Sequence, residues 1–417
     1  MKTSLWSLLS LLLVAPLCAD LTTALDGSSG FIYKTYDESK TFDYLRQIGY
    51  DPKDNPGRNR FTVSWTDDTK VTQVGEKKSF EGIVGPVAAE FVGIDAASRK
   101  ALAQGSPFEA RVATVYAGAG EEKLIGPEDS NVVRGWFTPT GDGSRSGKIK
   151  VDGKEIPVSL RQRHWKIYHH QPLKPGELSR SFWKATIHGA EKDGKFVVAN
   201  MQVEPRPDPR QTDDPKLPRV LVIGDSISMN YHEAAKEALK GVANYHRNEG
   251  NGSSALHGVN NAELWLGEYE EKGLHWDVIQ FNHGLHDLKQ KYDAEKDEFG
   301  DYSVAPEDYQ ANLEKVITIL RKTGARLIFA TTTPVPNHNK GRYARRKGAA
   351  KDFNKLALEV MKKHPDIQIN DLYGAVESSP VFDNWRKQSD VHFYKDEEKK
   401  VLGEAVAKEV KEALGVK

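Results

Sequence analysis

The chain has 417 residues, enough for two domains of ordinary size. Lys plus Arg and Asp plus Glu each number 59, so the formal charge is zero and the basic excess of a dedicated nucleic-acid binder is absent. The one cysteine, Cys18, sits in a leader-like segment; cleavage after Ala19 leaves none, which excludes disulfides, thiolate catalysis and thiolate metal sites.

Residues 1–19 read as a signal peptide. Lys2 supplies a short basic region, 5–14 form an apolar run broken by Ser7 and Ser10, and Leu17-Cys18-Ala19 offers a cleavage site. The run is too short to span a bilayer comfortably. Ala15-Pro16-Leu17 is a poor signal for lipidation of Cys18. Export to the periplasm or the medium is expected, with no membrane span.

Residues 20–203 are expected to form a mainly β domain. Segments 61–65, 80–84, 108–116, 132–137 and 196–203 are rich in β-branched and aromatic residues. Runs 148–151 and 154–158 flank Asp152-Gly153, which fits a two-residue hairpin turn with positive φ, and Asp193-Gly194 offers a second. A sandwich or barrel-like accessory domain follows, with short helices at 40–49 and 96–103. Residues 204–218 carry prolines at 205, 207, 209, 215 and 218 among charges, and read as a semi-rigid linker without helix or sheet.

From 219 to 417 apolar runs alternate with helical stretches. Strands are expected at 220–223, 242–246, 278–282, 326–331 and 367–369, and helices at 229–240, 259–271, 306–323, 346–363 and 395–414. Leu313, Val316, Ile317 and Leu320 share one helical stripe. Five βα units predict a doubly wound, flavodoxin-like parallel sheet with ligands beyond the strands' carboxyl ends.

Candidate chemistry falls at those ends. The first strand runs into Gly224-Asp225-Ser226, a turn that can lift a hydroxyl to the sheet's edge; alternatively Ser226 only caps the next helix. Asn248-Glu-Gly-Asn-Gly-Ser-Ser254 follows the second strand, and its glycines let backbone N–H groups approach a ligand. Asn282-His-Gly-Leu-His-Asp287 follows the third. Ser389-Asp-Val-His-Phe393 precedes the last helix and offers His392 as a base with Asp390 beside it. His164, His169, His170 and His283 show no ligand spacing that would hold zinc.

These four blocks, in this order over 219–417, resemble the SGNH (GDSL-type) hydrolases. The resemblance implies Ser226 as nucleophile and His392 as base. It implies an oxyanion hole from the backbone N–H of Ser226, that of Gly250 (Gly252 is the rival) and the third block. There the family usually reads Gly-x-Asn-Asp; here it is Gly284-Leu285-His286-Asp287, so His286 takes the Asn position and Asp287 braces the loop. The family also places an Asp three residues before the His, where this chain has Ser389. Either Asp390 reaches the imidazole by a changed turn, or the enzyme runs as a Ser–His dyad. No cofactor or metal is implied.

The activity implied is ester hydrolysis, with acetylated polysaccharide or oligosaccharide as substrate. The alternatives are a lipid or thioester hydrolase, or a non-catalytic polysaccharide-binding protein. The loop after the fourth strand carries Lys340, Arg342, Arg345, Arg346 and Lys347, suited to an anionic sugar such as a uronate.

Overall fold

The computed structural model describes residues 21–47, 60–124, 131–141, 144–161, 164–178, 183–340 and 344–416; the leader 1–19 and Arg342 lie outside them. They divide into two compact units: the first runs to Arg46 and then from Thr62 to Arg206, and the second holds Gln47, Arg60 and Phe61 together with the chain from Pro207 onward.

In the first unit twelve strands bond into one sheet. The strands Lys195–Pro205, Trp183–Lys192, Ser28–Tyr36, Thr41–Arg46 and Arg60–Lys77 follow one another, and Lys195–Pro205 pairs again with Arg60–Lys77, closing a five-stranded ring. The 18-residue strand Arg60–Lys77 also pairs with Lys166–Leu173, which leads to the remaining strands. Phe80, Phe91, Val115, Phe137, Ile149 and Ile167 form the core there. Both expected hairpins are present: Asp152 and Gly153 have φ of 48° and 78°, and Asp193 and Gly194 have 53° and 72°.

Several sequence expectations fail in this unit. Residues 40–47 of the expected helix 40–49 are not helical (48 and 49 lie outside the described residues): Thr41–Arg46 is a strand whose Phe42, Asp43, Tyr44 and Leu45 are all buried, so no period of two remains to be read. Segment 80–84 is not a strand. Phe80 turns into the core against Phe137 (ring centroids 4.6 Å apart), its N–H bonds the Ser144 carbonyl, and Gly82 takes φ +71°. Segment 108–116 is two strands, Phe108–Ala110 and Val112–Tyr116, with different partners. The helix Ala96–Ala103 does form, capped by Asp95.

The expected linker is also shorter and more ordered. The last strand runs to Pro205, and Pro209–Thr212 makes one helical turn with Asp208 as its cap and Pro at the first position, which proline tolerates. Asp213 then accepts from Arg219 Nε at 2.8 Å and lies 2.9 Å from His246 Nε2.

The second unit holds five parallel strands ordered Asn244–Arg247, Arg219–Ile223, Val278–Phe281, Arg326–Ala330 and Gln368–Asn370. In chain order that is 2-1-3-4-5, the flavodoxin-like arrangement. The first and third strands are buried throughout. Helix Ser226–Ala238 packs against Asp396–Leu414, where a Cβ on Gly403 would lie 2.6 Å from the Ala235 backbone nitrogen. Ala255–Leu266, Pro306–Arg321 and Ala349–Met361 pack in succession. The stripe Leu313, Val316, Ile317 and Leu320 is buried as its spacing predicts. The hairpin Gln290–Asp293/Glu298–Tyr302 and the helix Leu372–Ser378 were not expected.

Candidate active site

The nucleophile turn is built from the end of the first strand. Asp225 is the N-cap of helix Ser226–Ala238, its carboxylate accepting from the Ile227 N–H at 2.8 Å. Capping therefore falls to Asp225, and the Ser226 hydroxyl at the first helical position stays available. Burial pushes the Asp225 carboxyl above its ordinary range. The Gly224 N–H donates to Asn248 Oδ1 (3.0 Å), and the Gly224 carbonyl accepts from the Gly252 N–H (2.8 Å). A Cβ on Gly252 would lie 2.6 Å from that carbonyl oxygen, so the approach requires glycine. Of the two glycines considered for the oxyanion, Gly252 has its N–H committed to Gly224, whereas Gly250 is exposed with φ +69°.

The third block is braced on every side. The Asn282 N–H donates to the Ile223 carbonyl (2.9 Å) and the Tyr309 hydroxyl to the His283 carbonyl (2.8 Å). Gly284 has φ +152°, and a Cβ there would strike Thr332 Oγ1 at 2.2 Å. Both oxygens of buried Asp287 accept from the Ala255 N–H, at 3.0 and 3.2 Å, tying this block to the helix after the second. Burial pushes the Asp287 carboxyl up to about 7. His286 Nδ1 lies 3.0 Å from Ser253 Oγ and 3.2 Å from Lys289 Nζ. Burial, then the charges of Lys289 and Arg345, push the His286 ring down to about 3, so it is neutral at physiological pH.

The base loop approaches the nucleophile from the far end of the chain. His392 Nε2 lies 2.9 Å from Ser226 Oγ, and His392 Nδ1 lies 2.8 Å from Asp390 Oδ1. The acid two residues before the histidine thus reaches the ring, and its Oδ1 also accepts the His392 backbone N–H at 3.1 Å. Burial raises the Asp390 carboxyl, but the Tyr394 hydroxyl and the His392 bonds outweigh it and hold it below its ordinary value. Three contacts, made by Trp385 and Asn230, fix this loop, and neither residue was singled out in the sequence. Trp385 Nε1 donates to the His392 carbonyl (3.0 Å), Phe393 stacks on Trp385 (4.7 Å), and the Phe393 N–H donates to Asn230 Oδ1 (3.0 Å), four residues after Ser226. No sequence signal separates Asn230 from any other polar side chain on the surface of that helix.

The cationic loop is largely matched internally. Lys340 pairs with Asp297, Arg346 with Asp352 (2.6 Å), and buried Arg345 donates to the Leu285 carbonyl (2.8 Å). Lys347 is exposed. Among the described residues no group of three or more His, Cys, Asp or Glu could hold a metal ion, and no helix is long and apolar enough to cross a membrane.

No protein-family model and no curated protein matches the chain. Solved structures similar to it include an acetyl xylan esterase, at 15% identity over 46% of this chain and 99% of that one, with a TM-score of 0.37. A GDSL-like lipase from Bacteroides thetaiotaomicron has 15% identity over 47% and 88% of the two chains, with a TM-score of 0.34. The C-terminal catalytic domain of peptidoglycan O-acetyltransferase A from Streptococcus pneumoniae has 17% identity over 48% and 93%, with a TM-score of 0.32.

Proposed function

We propose that the unit from Pro207 onward is an SGNH-type serine esterase that removes O-acetyl groups from a polysaccharide or oligosaccharide. The observation that carries the reaction class is the continuous chain Ser226 Oγ, His392, Asp390, with links of 2.9 and 2.8 Å. Such a chain activates a hydroxyl that is otherwise a weak nucleophile. His392 Nε2 takes the Ser226 proton as Oγ attacks the ester carbonyl carbon. Asp390 orients the ring and stabilises the imidazolium. The carbonyl π electrons move to oxygen, where the Ser226 and Gly250 N–H groups and His286 serve as donors; the Ser226 N–H points from a helix N-terminus, which favours negative charge. Collapse of the intermediate expels the alcohol, protonated by His392, and leaves an acyl-serine. Water, deprotonated by His392, repeats the sequence and releases acetate.

Support for a polymeric substrate comes from the openness of the site. Tyr394 is 63% exposed and Met229 51% exposed, two residues beyond His392 and three beyond Ser226. An exposed tyrosine ring beside the base, its centroid 6.4 Å from that of His392, gives a sugar ring a face to stack on.

The test is acetate release from acetylated xylan and pectin, with 4-nitrophenyl acetate as a simple ester. Ser226→Ala should lose on the order of 10⁴-fold or more in kcat. Equal inertness of wild type and Ser226→Ala on all these esters would leave the polysaccharide-binding reading instead.

A further inference from the structure

His286 stands where the resembled family has an asparagine. An asparagine amide always presents donors; a neutral imidazole does so only through the nitrogen that carries its proton. Which nitrogen that is decides whether His286 can serve at all. The structure supplies the answer through His286 Nδ1. It lies 3.2 Å from the Lys289 ammonium, which has three donors and no acceptor, and 3.0 Å from the Ser253 hydroxyl, which can turn its proton to the same lone pair. The opposite tautomer would aim an N–H at an ammonium. Nδ1 is therefore the acceptor, and the proton sits on Nε2.

The ring is also fixed in place relative to the nucleophile turn. Ser253 follows Gly252, whose N–H holds the Gly224 carbonyl two residues before Ser226. Asp287, next to His286, holds the Ala255 N–H two residues after Ser253. One short loop thus links the ring's Nδ1 to the turn carrying Ser226.

We propose that Lys289, backed by Ser253, is a positioning residue that holds His286 in the Nε2–H tautomer, so that this N–H can donate to the substrate oxygen. The donation rests on the esterase reading above; the tautomer does not. Lys289 acts through His286 and makes no bond to substrate. Its charge also polarises the ring, which strengthens the Nε2–H as a donor.

The experiment combines kinetics with the ¹⁵N NMR of histidine-labelled full-length protein, the His286 signals being identified by their loss in His286→Asn. Wild type should show the proton on Nε2. Lys289→Met should lower kcat about tenfold, short of the 10²–10³-fold typical for outright loss of an oxyanion donor, with KM unchanged. It should also shift His286 toward a mixture of tautomers. Lys289→Arg, again all donors, should restore both. Lys289→Gln, which both donates and accepts and keeps the shape, should behave like Lys289→Met and serves if the methionine variant does not fold. A wild-type His286 protonated on Nδ1, or an unchanged tautomer in Lys289→Met and Lys289→Gln, would overturn the proposal. A wild type inert on esters but with His286 protonated on Nε2 would remove the esterase reading and leave the Lys289–His286 assignment standing.

Discussion

The turn that carries Ser226 and the loop that carries His392 are held in different ways. Around Ser226 the bonds are buried and all hold backbone N–H groups: Gly224 is gripped on both sides by Asn248 and Gly252, and Asp287 holds Ala255 behind them. Around His392 the bonds come from side chains and are less buried: Trp385, Asn230 and Asp390 half-buried and, exposed on the outside, Tyr394. A buried bond lost leaves an unpaired group, whereas an exposed one is largely replaced by water. The nucleophile side should therefore tolerate little change, and the base side should lose activity in graded steps.

Gly252→Ala presses hardest on that contrast. The new Cβ would meet the Gly224 carbonyl oxygen at 2.6 Å, against backbone that cannot swing aside. Relief requires moving the nucleophile turn. Overpacking of this kind costs about 1–3 kcal/mol, and displacement of a reacting group by about 1 Å can cost on the order of 10²-fold in rate. Thermal melting and 4-nitrophenyl acetate kinetics would read both. A fully active Gly252→Ala would show that the turn is not held as tightly as its contacts imply.

Asp287 gives the next largest effect, on stability against pH. Its carboxyl is pushed up to about 7 by burial, from about 3.9 in an unfolded chain. Between those values the folded protein holds a proton that the unfolded chain has released, so stability falls as pH rises from about 4 to about 7, by on the order of a few kcal/mol for this group. Asp287→Asn cannot ionise and can still accept the Ala255 N–H. It should flatten that part of the profile, as melting at pH 5 and pH 8 would show. An identical slope in both proteins would mean that Asp287 is ionised in the folded state.

The same contrast explains what the sequence reveals. Ser226, His286, Asp390 and His392 were legible because each sits in a short block at a strand's end or just before the last helix, and βα alternation announces those ends. The departure at Ser389 left open whether an acid reaches the ring; only the folded loop, with Asp390 Oδ1 2.8 Å from Nδ1, answers it. Asn230 and Trp385 were not legible. Asn230 looks like an ordinary helix-surface amide, and its partner Phe393 lies 163 residues away. Nothing in the sequence marks Lys289 as the residue whose ammonium lies 3.2 Å from His286 Nδ1. In the first unit, strands such as Lys166–Leu173 and Thr41–Arg46 lack an alternating pattern. Their register comes from pairing with distant strands, which short-range propensity does not encode.

Tyr394→Phe should have the smallest effect and marks the wet end of the comparison. Asp390 Oδ1 serves His392 twice, while Oδ2 accepts the Tyr394 hydroxyl at 2.7 Å. That bond raises the Tyr394 phenol above its ordinary value, so it remains a donor. Removing it leaves both contacts to His392 intact, and with the Asp390 side chain 44% exposed, water can take the vacated position on Oδ2. The expected loss is about threefold in kcat, within the range of one hydrogen bond partly replaced by solvent, and equal on nitrophenyl acetate and on acetylated polymer. Tyr394→Ala removes the ring as well. It should then raise KM on the polymer while leaving KM on nitrophenyl acetate alone, because only the polymer has sugar rings to stack. Should Tyr394→Phe instead lose as much activity as Gly252→Ala, the phenol would be holding Asp390 in place unaided, and the base loop would be as intolerant of change as the nucleophile turn.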